Sequence, residues 1–278
     1  MKQSELLSKL LNDENVLEIL HVFVKEKYIP KRNLIEKLTE KTGLSENEVT
    51  QITKLLFKLV LIYEFSNDDD SWIELTPRGY YLVRLWGRTD HNEICSYIFA
   101  EPGDILLKGD NLFTHPLIRI YHEYLLEIWR PIPFPIALYL PCSKHKPYSR
   151  SFMQLKIRRM LHKRELSKYV QVYIVSEPLV LVPAQIETLF PAAHYDYPPE
   201  KVSEDEKNIY VTLLRKILRR LENVHRTHVY SLPRFHKMIF LKAVENRSEK
   251  YLYVPYNVYY IPKLAEVLTN GLDRICNI

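Results

Sequence analysis

The chain has 278 residues, 46% of them hydrophobic and 26% charged, with a formal net charge of +5, which is typical of a globular protein large enough for two domains. No apolar run is long enough to cross a bilayer and the first residues lack an apolar signal segment, so we expect a cytoplasmic protein with no membrane partner. The charge is uneven, with 13 basic and 15 acidic side chains in residues 1–90 but 26 and 19 in residues 91–278, so a surface attracting polyanions is expected in the second part.

Residues 14–86 predict three helices, a hairpin and the start of a fourth helix. The third helix opens with a capping box, in which Ser45 caps the helix and Glu48 reaches back to it. After the hairpin, the turn Thr76-Pro77-Arg78-Gly79 begins the next helix. This order resembles a winged helix-turn-helix, and we expect an α+β N-terminal winged helix domain over residues 1–88.

A winged helix binds DNA or RNA by placing its third helix in a groove. The exposed positions on that helix are predicted to be Asn47, Gln51, Lys54 and Lys58. The alternative is a module used for protein contacts, including a homodimer formed through it. An acidic run at the hairpin tip, Asp68-Asp69-Asp70, would repel phosphates and favours this alternative.

A connector with one helix is expected over residues 89–130, and an α/β domain over residues 131–278. Strands are predicted at 136–140, 170–175 (continuing near 179–182), 229–232 and 251–254, and helices at 151–164, 204–223, 235–245 and 261–268. Four short strands with helical crossovers predict a three-layer domain around a mostly parallel four-stranded sheet.

The loop after the first of these strands carries more polar chemistry than packing requires. Residues 141–151 have the sequence Pro-Cys-Ser-Lys-His-Lys-Pro-Tyr-Ser-Arg-Ser and lie between a buried strand and a helix N-terminus, where open α/β sheets place their ligand sites. The segment 144–168 adds nine basic residues against one acid, Glu165. Beside a ligand loop this pattern favours phosphate contacts, although a merely solvated helix face gives the same pattern. The predicted nucleic-acid contacts there are Arg150, Lys156, Arg158, Arg159, Lys163 and Arg164.

Two blocks of sequence resemble a known family. The pattern Pro-Cys-Ser-x-x-Lys-Pro-Tyr-Ser-x-Ser resembles the signature loop of the archaeosine synthase core domain, whose pattern continues with a Ser and a His where this chain has Met153 and Gln154. Downstream, residues 178–183 and the segment Phe-Pro-Ala-Ala-His-Tyr-Asp at 190–196 are similar to the family's second block, with Val180 replacing a glycine. The resemblance spans roughly residues 112–270.

The resemblance implies tRNA modification, in which an amine supplied by lysine adds to the nitrile of a 7-cyano-7-deazaguanine base in tRNA. It also implies a fold similar to the uracil-DNA glycosylases, with the polar loop at a base pocket. We therefore expect tRNA as partner and free lysine as co-substrate. The alternative is a DNA-binding protein of that fold, non-catalytic or linked to repair. The residues expected around the base are Pro141, Ser143, Pro147, Ser149 and Ser151.

Five side chains are candidates for the chemistry: Cys142, Lys146, Tyr148, His194 and Asp196. Nitrile addition requires a neutral amine, a proton donor and a dry pocket. Lys146 or Tyr148 would donate the proton, and His194 with Asp196 would orient the amine. We infer separately that Cys142 forms a thioimidate with the nitrile. The structural alternatives are a small apolar cysteine, a solvated lysine, and a tyrosine and a histidine that are hydrogen-bonded in the core.

Neither a metal nor a cofactor is predicted. The cysteines Cys95, Cys142 and Cys276 form no CxxC pair, which excludes a zinc ribbon or a dense disulfide framework. No GxGxxG, Walker A, HExxH or GxSxG pattern occurs. The sequence therefore gives no support to a nucleotide cofactor, a zinc protease or an α/β-hydrolase.

Overall fold

The structure, a computed structural model, describes residues 13–66 and 70–276, which form two compact units of mixed helix and sheet. The first unit comprises the described residues up to Glu101 together with Glu123–Arg130 and Leu189–Pro191. The second comprises Pro102–His122, Pro131–Thr188 and the described residues from Ala192 onward. Within the described ranges, no helix combines the length and the apolar character needed to cross a lipid bilayer.

The first unit contains an antiparallel sheet with the strand order β1-β3-β2. Its elements are α1 (Glu14–Glu26), β1 (Tyr28–Pro30), α2 (Leu34–Thr42), α3 (Glu46–Lys58), β2 (Ile62–Ser66), β3 (Ser71–Leu75), α4 (Pro77–Leu85) and α5 (His91–Ile98). The predicted order of three helices, a hairpin and a further helix is therefore present in this unit.

Local sequence signals set the helix boundaries in the first unit. The predicted capping box at α3 is confirmed, because Ser45 accepts a hydrogen bond from the Glu48 backbone and the Glu48 side chain accepts one from the Ser45 backbone. Gly43 ends α2 with a φ of 70°, a left-handed conformation that favours glycine. Of the predicted acidic run, Asp70 is exposed, whereas Asp68 and Asp69 lie outside the described residues.

The rest of the chain supplies the remaining helices and strands. They are β4 (Leu107–Lys108), α6 (Pro116–Glu123, followed by a π-helical turn at Tyr124–Ile128), β5 (Ile136–Pro141), α7 (Phe152–Lys163), β6 (Val170–Ser176), β7 (Val180–Pro183), β8 (Tyr195–Asp196), α8 (Glu204–Leu221), β9 (Thr227–Tyr230), α9 (Arg234–Val244), β10 (Tyr251–Tyr253) and α10 (Ile261–Cys276).

The sheet of the second unit is mixed and has five strands in the order β10-β9-β5-β6-β7. All neighbours are parallel except β6 and β7, which are antiparallel. The predicted count of four strands is therefore wrong, because residues 179–182 do not continue β6. The chain reverses after Ser176, and Val180 begins the return strand at a φ of 70°. This is the position at which the resembled family has a glycine, the residue that adopts a positive φ at least cost.

The central strands of this sheet are covered on both faces. Every residue of β5 and β6 is buried, as expected for parallel strands with helices on both sides. The carboxyl ends of parallel strands lie at the same edge of a sheet, so the loops after β5, β6 and β9 are brought together there.

In the first unit, β3 carries a buried carboxyl group. Glu74 is 1% exposed, and its Oε1 accepts a hydrogen bond from the Trp72 indole N–H. Burial raises the pKa of Glu74 to about 8, against the opposing effects of Trp72 and of Arg130. Glu74 is thus predominantly protonated at neutral pH in the folded protein.

This pKa predicts a pH-dependent stability. Because the pKa of Glu74 is higher in the folded than in the unfolded protein, its contribution to folding stability is complete below pH 4.5. That contribution is lost as the pH rises towards 8. We expect the free energy of unfolding of Glu74→Gln, relative to wild type, to rise over that interval by up to about 1.4 kcal/mol per pH unit. Urea titrations followed by tryptophan fluorescence measure it. The exposed Glu36→Gln is the control, and a difference independent of pH would contradict an elevated Glu74 pKa.

Candidate active site

The candidate site lies where β5 and β6 end in the second unit. β5 and β6 pair in parallel register through Pro141 and Val175, and the backbone N–H of Cys142 donates to the Val175 carbonyl at 2.9 Å. Cys142 is therefore level with Ser176, the last residue of β6, and Glu177 is the next residue along. The first turn of α9, which follows β9, adds His236.

Cys142, Glu177 and His236 form a cluster of contacting heteroatoms. The Cys142 Sγ lies 3.5 Å from Glu177 Oε1 and 3.5 Å from His236 Nε2. The same Nε2 lies 2.9 Å from Glu177 Oε2. Glu177 and His236 are almost fully buried, whereas Cys142 is half-buried. The Glu177 carboxylate is thus the adjacent group able to accept the proton of the thiol, while it also accepts a hydrogen bond from His236 Nε2.

The surroundings keep this thiol protonated. Burial raises the pKa of Cys142 well above its usual range, and the Glu177 carboxylate raises it further. The Lys146 ammonium and a hydrogen bond from Ser176 act in the opposite direction. A thiolate is therefore disfavoured unless its proton is transferred as the sulfur reacts.

The cluster also has the donor types of a zinc site, because cysteine, glutamate and histidine all bind zinc. Its three ligand atoms lie within 4.8 Å of one another, and among the described residues no other such group is this compact. Two features weigh against a cation. Within the described chain His236 Nδ1 makes no hydrogen bond, whereas metal-bound histidines usually donate their second N–H to a partner. Lys146 also lines the same cavity with a positive charge.

The cluster opens on a cavity of about 320 Å³. The residues lining it are Cys142, Ser143, Lys144, Lys146, Glu177, Tyr195, Asp196, Tyr197, Pro198, Pro199 and His236. Of the five predicted chemical residues, three line this cavity, namely Cys142, Lys146 and Asp196. Of the five predicted base-pocket residues, Ser143 does so.

Lys146 lies over an aromatic ring beside the thiol. Its Nζ is 4.0 Å from the centroid of the Tyr195 ring and 5.6 Å from that of Tyr148. Burial lowers the pKa of Lys146, and the charges of Cys142, Asp196 and Glu177 oppose this. This lysine is therefore not the freely solvated surface lysine of the structural alternative, and it can release a proton more readily than an ordinary lysine.

Tyr148 lies behind the cavity and is fully buried. Its hydroxyl is 2.7 Å from the Tyr195 hydroxyl and 3.3 Å from Ser176 Oγ, and the last two also bond to each other. Burial raises the pKa of both tyrosines. Tyr148 thus has the placement of a hydrogen-bonded core tyrosine, and Tyr195 is the phenol that lines the cavity.

His194 and Asp196 are on either side of Tyr195 but differ in placement. His194 is fully buried, and its carbonyl accepts hydrogen bonds from the backbone N–H groups of Leu106 and Leu107. It is not among the residues that line the cavity. Asp196 lies on β8, which pairs with β4, and is exposed at the cavity.

The remaining predicted pocket residues organise the loop between β5 and α7. The Pro141 carbonyl accepts a hydrogen bond from Gln154 Nε2 at 3.1 Å, so the glutamine that replaces the family's histidine connects α7 to β5. Ser149 donates its backbone N–H to Glu187 Oε2 at 3.2 Å. Pro147 is buried, and Ser151 is the buried N-cap residue of α7.

Most of the predicted nucleic-acid contacts are solvent-accessible. Five of those around α7 are exposed, namely Arg150, Lys156, Arg159, Lys163 and Arg164. Arg158 is different, because it is half-buried and forms an ion pair with Glu187 at 3.0 Å. On α3 of the first unit, Gln51, Lys54 and Lys58 are all exposed.

Two central residues were not predicted from the sequence. Glu177 gave a usable signal, since a carboxylate that directly follows a long apolar strand is rarely buried without a role. His236 gave none, because a single histidine in an amphipathic helix is usually a core residue. Only the meeting of β5, β6 and α9 at one edge of the sheet identifies it.

Comparison with known proteins assigns a relationship to this part of the chain. Residues 118–257 match the family described as a domain of unknown function, DUF5591. The chain is 38% identical over 99 residues to "Archaeosine synthase subunit alpha" of Thermoplasma acidophilum, covering 35% of this chain and 19% of that protein. It is 35% identical over 86 residues to the protein of the same name from Methanosarcina acetivorans, covering 31% and 13%. It is 34% identical over 87 residues to "Archaeosine synthase" of Haloferax volcanii, covering 31% and 14%.

The matched stretch thus spans less than a fifth of the length of these relatives. A crystal structure described as AF0587, a protein of unknown function, is similar with 21% identity and a TM-score of 0.38, covering 53% of this chain and 49% of that one. A score this low carries no argument about the fold. Because the DUF5591 match covers about half of its residues, the chain belongs to that family, and it contains a domain related to the archaeosine synthases.

Proposed function

We propose that this protein modifies tRNA, holding a 7-deazaguanine-type base in the 320 Å³ cavity and adding lysine to the nitrile of that base. The observation that carries the proposal is the thiol of Cys142, placed in a lined cavity within 3.5 Å of both Glu177 and His236. It lies on the loop whose sequence resembles the archaeosine synthase signature. The names of the related proteins support the same direction.

In the proposed first step, Cys142 adds to the nitrile carbon. The S–H bond breaks and a carbon–sulfur bond forms, while Glu177 accepts the proton. The electron pair of one nitrile π bond moves to the nitrogen, which takes up that proton from Glu177 and gives a neutral thioimidate. The raised pKa of the thiol fits a proton transfer that accompanies attack.

In the proposed second step, the neutral amine of lysine attacks the thioimidate carbon. A carbon–nitrogen bond forms, the carbon–sulfur bond breaks, and the sulfur takes a proton from the added amine. The product is an amidine, and the Cys142 thiol is regenerated with no net oxidation or reduction. Asp196 and Lys146 at the cavity are placed to hold the charged ends of the free amino acid.

The remaining predicted residues have supporting roles in this proposal. Tyr148 orients Tyr195 through their hydroxyl contact, and His194 anchors the segment that carries Tyr195 and Asp196. The exposed cations of α7 contact phosphates. Ser143 and the neighbouring loop form one side of the base pocket.

We further propose the domain organisation expected from the sequence: a winged helix over residues 1–88, a connector over 89–130 and a uracil-DNA-glycosylase-like domain over 131–278. The exposed residues of α3, Gln51, Lys54 and Lys58, support nucleic-acid contact by the winged helix. Its use in a homodimer is the alternative. A DNA-binding protein of this fold, non-catalytic or linked to repair and with the winged helix contacting DNA, is the competing hypothesis from the sequence.

Lysine transfer tests the proposed activity. We expect labelled lysine to be incorporated into tRNA that contains 7-cyano-7-deazaguanine, and incorporation to fall by at least about 100-fold in Cys142→Ser and Lys146→Ala. His194→Ala is expected to lose activity through its effect on the segment, with a loss of thermal stability that Lys146→Ala does not show. Absence of incorporation by wild type would end the proposal, and a fully active Cys142→Ser would exclude the thioimidate.

The thiol environment gives a test that needs no substrate. We expect Cys142 to react several-fold faster with iodoacetamide in Glu177→Gln, because loss of the carboxylate lowers the pKa of the thiol, and more slowly in Lys146→Ala. Peptide mass spectrometry over a pH series measures it, with Cys95 of the same chain as the internal reference. Equal rates in the three proteins would mean that these charges do not act on Cys142.

Binding to the α7 face is a separate expectation. Charge reversal at the exposed Arg159 and Lys163 should weaken tRNA binding by on the order of tenfold and reduce its salt dependence. Mobility shifts with tRNA, duplex DNA and single-stranded DNA in parallel measure it, and Lys25→Glu on α1 is the control. Preferential binding of duplex DNA by the wild type would favour the DNA hypothesis instead.

A further inference from the structure

A second concavity lies on the other side of α9 and has no role in the proposed chemistry. Its volume is about 760 Å³. We call it the α9 groove, defined by the residues that line it: Leu232, Pro233, Arg234, Lys237, Met238, Leu241, Lys242, Tyr253, Pro255, Tyr256, Asn257 and Tyr260. α9 supplies one wall, and β10 with the segment after it supplies the other.

The α9 groove presents aromatic rings to solvent. Tyr253 and Tyr260 are 41% and 45% exposed, and Met238 and Leu241 of α9 are also exposed. Rings that pack only against the protein interior would not be open to this extent. Tyr253 already has Lys237 over its ring and Tyr230 packed beside it. The ring of Tyr260 is therefore the one available for stacking with a planar ligand, such as a nucleobase.

All the charged residues of the α9 groove are basic. They are Arg234, Lys237 and Lys242, and none of the three forms an ion pair with another described residue. Lys237 Nζ lies 3.5 Å from the centroid of the Tyr253 ring, so a cation is held directly over an aromatic face. The groove thus combines positive charge with exposed rings, the two features that bind single-stranded nucleic acid.

The α9 groove is adjacent to the candidate active site. His236 of α9 lines the catalytic cavity, while its neighbour Lys237 lines the groove. Because these two neighbours on one helix line the two cavities, a chain of nucleotides leaving the catalytic cavity would meet the groove next.

We propose that the α9 groove binds unpaired RNA next to the nucleotide held in the catalytic cavity, with a base stacked on Tyr260 and phosphates at Lys237 and Arg234. The proposal rests on the proposed function, because it takes RNA as the substrate. Unpaired RNA fits better than a duplex, in which the base faces are covered by their neighbours and cannot reach the tyrosines. It also fits better than an acidic peptide, which would use the cations but leave the rings open.

The test compares two neighbouring tyrosines in the full chain. Tyr260 lines the groove, whereas Tyr259 is 85% exposed and does not line it. We expect Tyr260→Ala to weaken binding of a short unpaired RNA oligonucleotide by on the order of tenfold, and Tyr259→Ala to change it by less than about twofold. Fluorescence anisotropy with labelled RNA measures both, and the same strand in a duplex should bind more weakly to wild type.

A charge variant supplies an independent readout. Lys237→Ala should reduce the slope of log affinity against log salt concentration by about 0.7, and Lys25→Ala on α1 should leave it unchanged. Equal affinities of Tyr260→Ala and Tyr259→Ala for the RNA would overturn the groove proposal. So would competition by polyglutamate that displaces the RNA equally well from wild type and from Tyr260→Ala, because the groove would then bind acidic chains without using the ring. If wild type transfers lysine to tRNA while the groove variants bind RNA normally, only the groove proposal fails. If wild type binds no RNA, the proposed function fails with it.

Discussion

The parallel pairing of β5 with β6 is the constraint on which the rest of the site depends. The hydrogen bond from the Cys142 backbone to the Val175 carbonyl holds the two strand ends in register, with Cys142 level with Ser176 and Glu177 one residue further along. A shift in register by one residue would turn each side chain to the opposite face. The positions of Cys142 and Glu177 are therefore set by the backbone of the sheet rather than by their contact with each other.

Burial gives these polar groups their chemical character. Glu177 and His236 are almost entirely withdrawn from water and retain one another as partners, which limits the cost of burying them. Lys146 is held over the Tyr195 ring instead of being fully solvated. The hydroxyl contacts among Tyr148, Ser176 and Tyr195 form the floor behind the cavity. The same low-polarity surroundings that oppose ionisation also strengthen any hydrogen bond to a ligand placed there.

The sequence was informative where signals are local. The capping box at Ser45 and Glu48 is present as predicted, and the resemblance to archaeosine synthases was apparent from the loop at residues 141–151 and is supported by the related proteins. Sheet topology was less accessible. The chain reverses at Val180 through a left-handed backbone conformation, which the presence of a valine does not predict. The fifth, antiparallel strand was therefore predicted to be a continuation of β6.

The site was predicted in part for the same reason. Cys142, Lys146 and Asp196 belong to the two blocks of unusual sequence, and all three line the cavity. His236 lies 59 residues after Glu177 in the chain, and no rule of sequence spacing connects the two. His194 was chosen from its neighbours in the second block, yet its side chain is in the core, because β8 turns Tyr195 and Asp196 towards the cavity instead.

The Glu177 carboxylate beside Cys142 has a consequence for the lifetime of the protein in an oxidising environment. Peroxides attack thiolates far faster than thiols, and overoxidation to sulfinic acid is irreversible for most cysteines. Burial, assisted by the Glu177 carboxylate, suppresses ionisation of the sulfur and so slows its oxidation. Resistance to inactivation and a small thiolate fraction are then two results of the same surroundings.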